Sequence, residues 1–227
     1  MCAIIGAILL EPRAEDLLML HRVFLESQIR GKHATGIAYV KNGNVVIENR
    51  PVPAEDYPFN FQDCINEDGN LYLIGHCRYS TSNLEYNQPL GNQSKAIVHN
   101  GVITQELPEN WQSIYGYECI TQNDSELILH SDDPLREFNH MSMGVCELTS
   151  DKKLRLYRNG KRPLYLSSIP NGSIITSTSD IANRAEVGGK PVEVLMNHYI
   201  TFDEYLGMMI NSINIEGAVD LQHYAIR

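Results

Sequence analysis

Residues 1–10 read Met1-Cys2-Ala3-Ile4-Ile5-Gly6-Ala7-Ile8-Leu9-Leu10, and this stretch decides the fold. The apolar run is short and stops at Glu11-Pro12, which predicts a fully buried strand over 2–10. If Met1 is removed, Cys2 carries a thiol and a free α-amine, whose pKa of about 7.7–8.0 suits a base near neutrality. The alternative is that Cys2 is a small apolar residue that begins a strand. The choice between the two depends on the rest of the chain.

Composition limits the class of protein. The chain has 227 residues, of which 43% are hydrophobic, and this is enough for one domain with a sizeable core. The net charge of −10, from 18 basic and 28 acidic residues, opposes binding to nucleic acid or to an anionic membrane. The apolar run at the start lacks a basic leader and is too short for a signal peptide or a membrane span. We therefore expect a cytoplasmic protein.

The cysteines indicate neither a disulfide framework nor a metal site. There are five, they are widely scattered, and no two have the C-x-x-C spacing. We expect ordinary buried thiols at most of these positions, no metal and no cofactor.

Hydrophobic periodicity predicts a layered α+β architecture. Apolar residues at steps of three and four predict an amphipathic helix over 14–29, and Asn42-Gly43-Asn44 marks the turn of a hairpin over 36–48. Later strands are predicted over 143–148, 154–158, 163–169 and 173–178. Strands at both ends of the chain with helices between them imply two sheets covered by helices. A short helix is expected around 61–66, and the segment 191–227 combines a strand-like stretch over 192–195 with helical or irregular pieces.

Polar residues follow two predicted strands directly. The strand over 71–74 runs into Gly75-His76-Cys77-Arg78, and the strand over 95–98 runs into His99-Asn100-Gly101. A helix is predicted over 124–130, with Asn123 as its cap. The ends of strands are common places for functional sites, so these clusters are candidates for one.

Taken in order, the polar clusters resemble a known series of motifs. They are Cys2 with its apolar run, Arg30-Gly31-Lys32-His33-Ala34-Thr35-Gly36, Gly75-His76-Cys77-Arg78-Tyr79-Ser80-Thr81, Asn87-Gln88-Pro89, His99-Asn100-Gly101 and Asn123-Asp124-Ser125-Glu126, with Arg158–Tyr165 further on. The series is similar to that of the class II glutamine amidotransferase domain of the N-terminal-nucleophile hydrolases, as in glucosamine-6-phosphate synthase, phosphoribosylpyrophosphate amidotransferase and asparagine synthetase. One such motif would be weak evidence, but six in order are strong. The resemblance covers nearly the whole chain and implies a four-layer αββα fold.

The resemblance implies a catalytic role for three residues. Cys2 would attack the side-chain amide carbon of L-glutamine, and its own α-amine would move the proton. The Asn100 side-chain amide and the Gly101 backbone N–H would stabilise the oxyanion. His76 and His99 are expected to hold their loops by hydrogen bonds, because this mechanism leaves them no acid–base role.

The resemblance also implies a set of substrate-binding residues. Arg78 would hold the α-carboxylate of glutamine and Asp124 its α-ammonium group. Tyr79 and Thr81 belong to the loop that folds over glutamine in the family, and Arg30 would organise the surroundings of the nucleophile. The match is imperfect in the Arg30 loop, where His33 and Ala34 replace the Asp and Ser common in the family.

The implied function is hydrolysis of glutamine to glutamate and ammonia through a γ-glutamyl thioester on Cys2. We expect residues 1–227 to be a single glutaminase domain without a synthase domain, so that the ammonia passes to a separate synthase subunit. Two alternatives stay open. The protein could act alone as an amidase on another γ-glutamyl amide, or, if Met1 is retained and the base is lost, it could be an inactive regulatory or binding subunit.

Overall fold

The structure, a computed structural model, describes residues 1–80 and 84–213. The strands are β1 (Ala3–Leu9), β2 (Ala34–Lys41), β3 (Asn44–Arg50), β4 (Leu71–Arg78), β5 (Leu90–Gly91), β6 (Lys95–Val102), β7 (Ser142–Thr149), β8 (Leu154–Arg158), β9 (Tyr165–Ile169), β10 (Gly172–Thr176), β11 (Val192–Glu193), β12 (His198–Phe202) and β13 (Met208–Ser212). The α-helices are α1 (Ala14–Ser27), α2 (Trp111–Tyr115), α3 (Glu126–His130), α4 (Pro134–Glu137) and α5 (Ser179–Arg184). No helix in the described ranges is long and apolar enough to cross a membrane.

The strands form two antiparallel sheets. The first has seven strands in the order β11-β9-β10-β1-β4-β2-β3, and the second has six in the order β13-β12-β8-β7-β6-β5. Strand β1 pairs with β4 on one side and β10 on the other, so the N-terminal strand lies inside the first sheet. All seven residues of β1 are buried, as the unbroken apolar run predicts.

Three hydrophobic clusters separate four layers. One cluster joins the outer face of the first sheet to α1 and α5, with Leu20 and Phe24 among its members. A second lies between the two sheets, and a third joins the outer face of the second sheet to α2, α3 and α4. The order is helix, sheet, sheet, helix, which confirms the predicted α+β, four-layer αββα fold.

Helix α1 packs against the first sheet at a glycine. A Cβ on Gly75 would lie 2.2 Å from the Cζ atom of Phe24, so only glycine lets this ring rest on β4. This close approach explains why a glycine stands inside an otherwise apolar strand.

The structure corrects several predicted boundaries. The polar residues of 75–78 and 99–101 lie inside β4 and β6 rather than after them. A short helix expected around 61–66 is a series of turns, and α2, α4 and α5 were not predicted. The described part of the last segment, 191–213, contains β11, β12 and β13.

Candidate active site

Cys2 lies on the inner face of the first sheet, next to the end of β4. Ile4 belongs to the cluster between the sheets, and the same two-residue period places Cys2 on that inner face. In the register of β1 with β4, Ile4 is opposite His76 and Ala3 is opposite Cys77, so Cys2 lies at the Arg78 end of β4. The inner face therefore changes from apolar to polar at this end of the sheet.

The polar end of the inter-sheet layer opens into a cleft of about 370 Å³. Both sheets and the segment before α3 contribute to its walls. The lining residues are Cys2, His76, Arg78, Tyr79, Tyr86, Gln88, His99, Gly101, Val102, Thr104, Gln105, Glu106, Pro108, Trp111, Gln122, Asn123, Asp124 and Ser125. Five of the predicted site residues thus share one cleft: Cys2, Arg78, Tyr79, Gly101 and Asp124.

Cys2 lies in a mostly buried position among cations. Burial raises the pKa of its thiol above the ordinary value, and a backbone hydrogen bond with Tyr79 and the charges of the N-terminal ammonium group, Arg78 and Arg30 oppose that shift only in part. The Cys2 Sγ atom lies 3.9 Å from the Tyr79 carbonyl oxygen. The resting sulfur is therefore a thiol, which has to give its proton to a base before it can act as a nucleophile.

Arg78 is buried at the end of β4 and is fixed by the segment that follows. Its Nη1 donates to the Tyr86 carbonyl at 2.9 Å and to Asn87 Oδ1 at 2.6 Å. Burial lowers the pKa of the guanidinium, and the proximity of Cys2 opposes that shift. A planar guanidinium held in place at the wall of a cleft is well suited to bind a carboxylate.

Asn100 has an unused hydrogen-bond donor. Its side chain is 3% exposed, and within the described part of the chain its Nδ2 atom has no hydrogen-bond partner. Buried amide groups are normally paired, and an unpaired one costs about 1–3 kcal/mol. Asn100 is in phase with Ala96 and Val98, which belong to the layer between the sheets. A buried donor without a partner is expected where the oxygen of a bound ligand accepts the hydrogen bond.

Gly101 follows on the same strand and is held tightly between its neighbours. A Cβ here would lie 1.8 Å from the Ser142 carbonyl oxygen and 2.5 Å from His99 Nε2. The position therefore requires glycine, and the main chain of Gly101 faces the cleft without a side chain in the way.

Asp124 serves as a hydrogen-bond acceptor for the loop after β6. Its Oδ2 accepts from the backbone N–H groups of Ile103 at 2.6 Å and Thr104 at 3.2 Å. This carboxylate therefore connects the segment before α3 to the end of the Gly101 strand, and it lines the same cleft as Arg78.

The two predicted structural histidines behave differently. The His99 ring lies 2.8 Å from Ser125 Oγ through Nδ1 and 3.2 Å from the Ser142 carbonyl through Nε2, as a positioning role requires. Neither ring nitrogen of His76 has a hydrogen-bond partner among residues 1–80 and 84–213. Burial and the charge of Arg78 lower the pKa of His76 to about 3, so its ring is neutral in the folded protein.

The Arg30 loop contacts the main chain of Cys2 from outside the cleft. Arg30 Nε donates to the Cys2 carbonyl at 2.9 Å, and Arg30 does not line the cleft. His33, at the position where the family commonly has Asp, accepts from the Ser80 N–H at 2.9 Å and lies 5.0 Å from the Tyr79 ring. His33 thus orders the start of the loop after β4. Thr81, the remaining predicted substrate-binding residue, falls outside the described residues.

Sequence reasoning missed three residues at the site. Ser177 Oγ accepts from the Ile4 N–H at 2.7 Å and so fixes the strand that carries Cys2. Gln88 accepts from the His99 N–H and donates to Ser125 Oγ, which links the two walls. Trp111 lines the cleft. Gln88 stood inside a quoted motif, and Ser177 begins the stretch Ser177-Thr178-Ser179-Asp180, which resembles a further motif of the same family. No local pattern pointed to Trp111.

Two solved structures with the same fold match the chain over most of its length. The chain matches the glutamine phosphoribosylpyrophosphate (PRPP) amidotransferase from B. subtilis, complexed with ADP and GMP, with a TM-score of 0.70 and 19% identity over 93% of this chain. It also matches a structure described as the allosteric regulatory enzyme of purine biosynthesis, with a TM-score of 0.71 and 20% identity over 94% of this chain. The aligned region is 50% of each of those chains. The predicted likeness in fold to a class II amidotransferase domain is thereby confirmed.

Neither a protein-family model nor a curated protein sequence matches the chain. At about 20% identity the structural matches establish the fold alone. The function therefore has to be argued from the cleft.

Proposed function

We propose that this chain hydrolyses the side-chain amide of L-glutamine to glutamate and ammonia, with Cys2 as the nucleophile once Met1 has been removed. The observation that carries the proposal is the buried Nδ2 of Asn100, which has no partner among the described residues and directly precedes Gly101, a lining residue of the cleft that also holds Cys2. A donor without a partner at this place suits an oxyanion that exists only during the reaction.

In the first half of the reaction, the α-amine of Cys2 takes the thiol proton and the sulfur attacks the amide carbon of glutamine. Asn100 Nδ2 and the Gly101 N–H stabilise the resulting oxyanion. The C–N bond then breaks as the α-ammonium returns its proton to the leaving nitrogen. Ammonia leaves, and a γ-glutamyl thioester remains on Cys2.

In the second half, the α-amine takes a proton from a water molecule, whose oxygen attacks the thioester through the same oxyanion site. Collapse of the intermediate breaks the C–S bond, and the proton returns to the sulfur. Glutamate is released with Cys2 as a thiol and the α-amine neutral, as at the start.

The cleft lining contains one cationic and one anionic side chain, which suit the two charged groups of an amino acid. Arg78 would hold the α-carboxylate, and Asp124 would hold the α-ammonium group. Tyr79 and Thr81 would complete the loop over the substrate, and Arg30 would hold the main chain of Cys2 in place. The distribution of charge supports an α-amino acid as substrate rather than a simple amide.

The ammonia acceptor is part of the same proposal. We propose that residues 1–227 act as one glutaminase domain and that a synthase on a separate subunit takes up the ammonia. The chain spans about half the length of the two proteins that it matches in fold. Low turnover of the purified chain that rises when the partner is added is the expected behaviour.

The decisive experiment is intact-mass and N-terminal analysis before and after exposure to a glutamine-analogue electrophile. We expect a chain that lacks Met1 and carries one adduct on Cys2. Cys2→Ala should remove the adduct, and Cys119→Ser, at the other partly exposed cysteine, should keep it. A chain that retains Met1 and never reacts would overturn the proposal and leave the role of an inactive binding subunit.

A further inference from the structure

A second group of reactive side chains lies outside the cleft, around α3. The ligand atoms of Cys119, Glu126 and His130 all lie within 4.8 Å of one another. Glu126 and His130 are four residues apart on α3, so their side chains share one face of the helix. Cys119 lies on the incoming segment that passes over this face.

From this cluster we propose a zinc-binding site formed by Cys119 Sγ, Glu126 Oε1 and His130 Nε2. Thiolate, imidazole and carboxylate are the three ligand types that zinc uses in proteins, and a soft thiolate selects zinc over magnesium or calcium. The ligands would carry two negative charges in total, which balances the charge of Zn²⁺. A solvent molecule would take the fourth tetrahedral position.

The distances suit a shared ion better than a direct contact. His130 Nε2 lies 3.7 Å from Glu126 Oε1, which is too long for a hydrogen bond. Two ligands of one tetrahedral zinc are separated by roughly 3.3–3.7 Å, given metal–ligand distances of about 2.0–2.3 Å. The third ligand needs to move by about 1 Å, and Cys119 and His130 are both partly exposed and have room for this.

Glu126 has a lone pair available for the metal. Its Oε1 accepts one hydrogen bond, from the Ile120 N–H at 2.8 Å, whereas Oε2 accepts two from Thr121. A carboxylate oxygen has two acceptor sites, so Oε1 can bind a cation without losing its present partner. These hydrogen bonds also hold the carboxylate in place before any metal arrives. The His130 ring is similarly fixed by stacking on Tyr117, with ring centroids 5.6 Å apart.

The cluster is open to solvent and close to the substrate cleft. Glu126 and His130 line a second cavity of about 570 Å³, and Tyr86 lines both this cavity and the cleft. A zinc ion would bind Cys119 and two residues of α3, and would so cross-link the two ends of the segment between them. That segment contains Gln122, Asn123 and Asp124, which line the cleft. Zinc binding would therefore stiffen the element that positions Asp124.

The thiol itself makes binding measurable. A cysteine thiol ordinarily keeps its proton at neutral pH. Zinc must displace this proton, because the thiolate is the metal ligand. Each zinc bound should therefore release one proton.

The test is a zinc titration of the metal-free full chain in a Cys2→Ala background, which removes the thiol of the cleft and makes the result independent of the proposed function. We expect one zinc per chain, proton release, and a rise in Tm. Cobalt in place of zinc should give the thiolate-to-metal charge-transfer absorption of a sulfur ligand. Cys119→Ser and His130→Ala should each weaken binding roughly tenfold or more, because each removes a ligand.

His140→Ala is the matched control, since His140 is exposed and outside the cluster. It should bind zinc as the Cys2→Ala chain does. The proposal is wrong if the Cys2→Ala chain binds no stoichiometric zinc, or if Cys119→Ser in that background binds as tightly and still gives the sulfur-to-cobalt absorption. Far-ultraviolet circular dichroism of each variant checks that loss of binding does not come from loss of the fold.

Discussion

At the scale of the residue, the site contains polar groups that the folded protein leaves unpaired. Asn100 Nδ2 and both ring nitrogens of His76 are buried without partners in the part of the chain that the structure describes. Each such group lowers the stability of the empty protein. His76 lines the cleft and Asn100 directly precedes Gly101, which also lines it, so the cost in stability falls next to the place where a ligand would be bound.

Asn100 provides the most direct test of this idea. Asn100→Ala should lower kcat by roughly 10²–10³-fold, or about 2.7–4 kcal/mol, because an oxyanion donor is lost. The Tm should change little in comparison, since Nδ2 donates no hydrogen bond within the described structure. Steady-state glutaminase kinetics and thermal unfolding measure the two effects.

Asn100→Asp separates the loss of the donor from the loss of volume. It keeps the size of the side chain but replaces the NH₂ group by a carboxylate oxygen, so kcat should fall at least as far as in Asn100→Ala. A near-normal kcat in either variant would contradict the role of Asn100 as a donor.

His76 predicts how stability depends on pH. Its pKa is about 3 in the folded protein and about 6.5 when unfolded, so its contribution is fully present above pH 6.5 and is lost as the pH falls towards 3. The free energy of unfolding should decrease below pH 6.5 by up to about 1.4 kcal/mol per pH unit from this residue. Burial lowers the pKa of His99 as well, which adds to the slope.

Denaturant titrations between about pH 6.5 and pH 4.5 measure this slope. His76→Phe, which cannot take up a proton, should have a shallower slope than the original protein. Equal slopes for His76→Phe and the original protein would show that the ring does not lose its proton on folding.

At the scale of the element, β6 shows what sequence reasoning can and cannot predict. Its apolar half, over 95–98, was predicted from periodicity, whereas His99, Asn100 and Gly101 were placed after the strand because they are polar. Backbone pairing with β7 continues through all three, since main-chain hydrogen bonds do not depend on the polarity of the side chains. A strand that ends in a cleft looks from sequence like a strand followed by a loop.

Other elements were missed for a different reason. Helices α2, α4 and α5 contain only four to six residues, too few for a helical period to appear. Strand β11 falls within the strand-like stretch predicted over 192–195, whereas β12 and β13 were not predicted. They pair with each other, β12 also pairs with the distant β8, and all residues of β13 are exposed. The candidate site was nevertheless predictable, because its motifs are local, whereas Ser177 and Trp111 reach it through the fold.

Strands β6 and β7 each contain a glycine, Gly101 and Gly144, and the two positions allow a matched pair of substitutions. Gly101→Ala should destabilise the protein by about 1–3 kcal/mol and abolish glutaminase activity, because the new Cβ would lie 1.8 Å from the Ser142 carbonyl and push the strands apart. Chemical denaturation and steady-state kinetics measure the two effects.

Gly144→Ala, on the other strand of the same pair, is the matched control. Gly144 is opposite Asn100, and its Cβ would come no closer than 3.4 Å to Arg162. Stability and activity should both stay near the original values. If Gly144→Ala lost as much activity as Gly101→Ala, an added carbon at either position of the strand pair would be harmful. The effect of Gly101→Ala would then not be specific to Gly101.

At the scale of the whole molecule, the cleft joins parts that are distant in sequence. Cys2 and Arg78 belong to the first sheet, Gly101 to the second, and Asp124 to the segment before α3. A ligand that contacts all of them connects the two sheets at the end where the apolar layer between them stops. Substrate or product should therefore stabilise the entire four-layer fold and not one loop.

This leads to a prediction for L-glutamate, the product of the proposed reaction. At about 100 times its Kd, glutamate should add about 2.7 kcal/mol to the free energy of unfolding and raise Tm accordingly. Arg78→Lys keeps the charge but loses the planar fork for the carboxylate, and Asp124→Asn loses the charge for the ammonium group. At the same glutamate concentration, both variants should lose most of the increase in Tm that glutamate gives the original protein.

The increase in Tm on adding ligand, rather than Tm itself, is the quantity to compare. Asp124 also accepts the Ile103 and Thr104 N–H groups, so Asp124→Asn is expected to unfold at a lower temperature even without ligand. His140→Ala, far from the cleft lining, should show the full increase. D-glutamate should produce a smaller increase in Tm, because its two charged groups cannot both reach Arg78 and Asp124 in the same pose. An increase that is unchanged in both Arg78→Lys and Asp124→Asn would place glutamate somewhere else on the molecule.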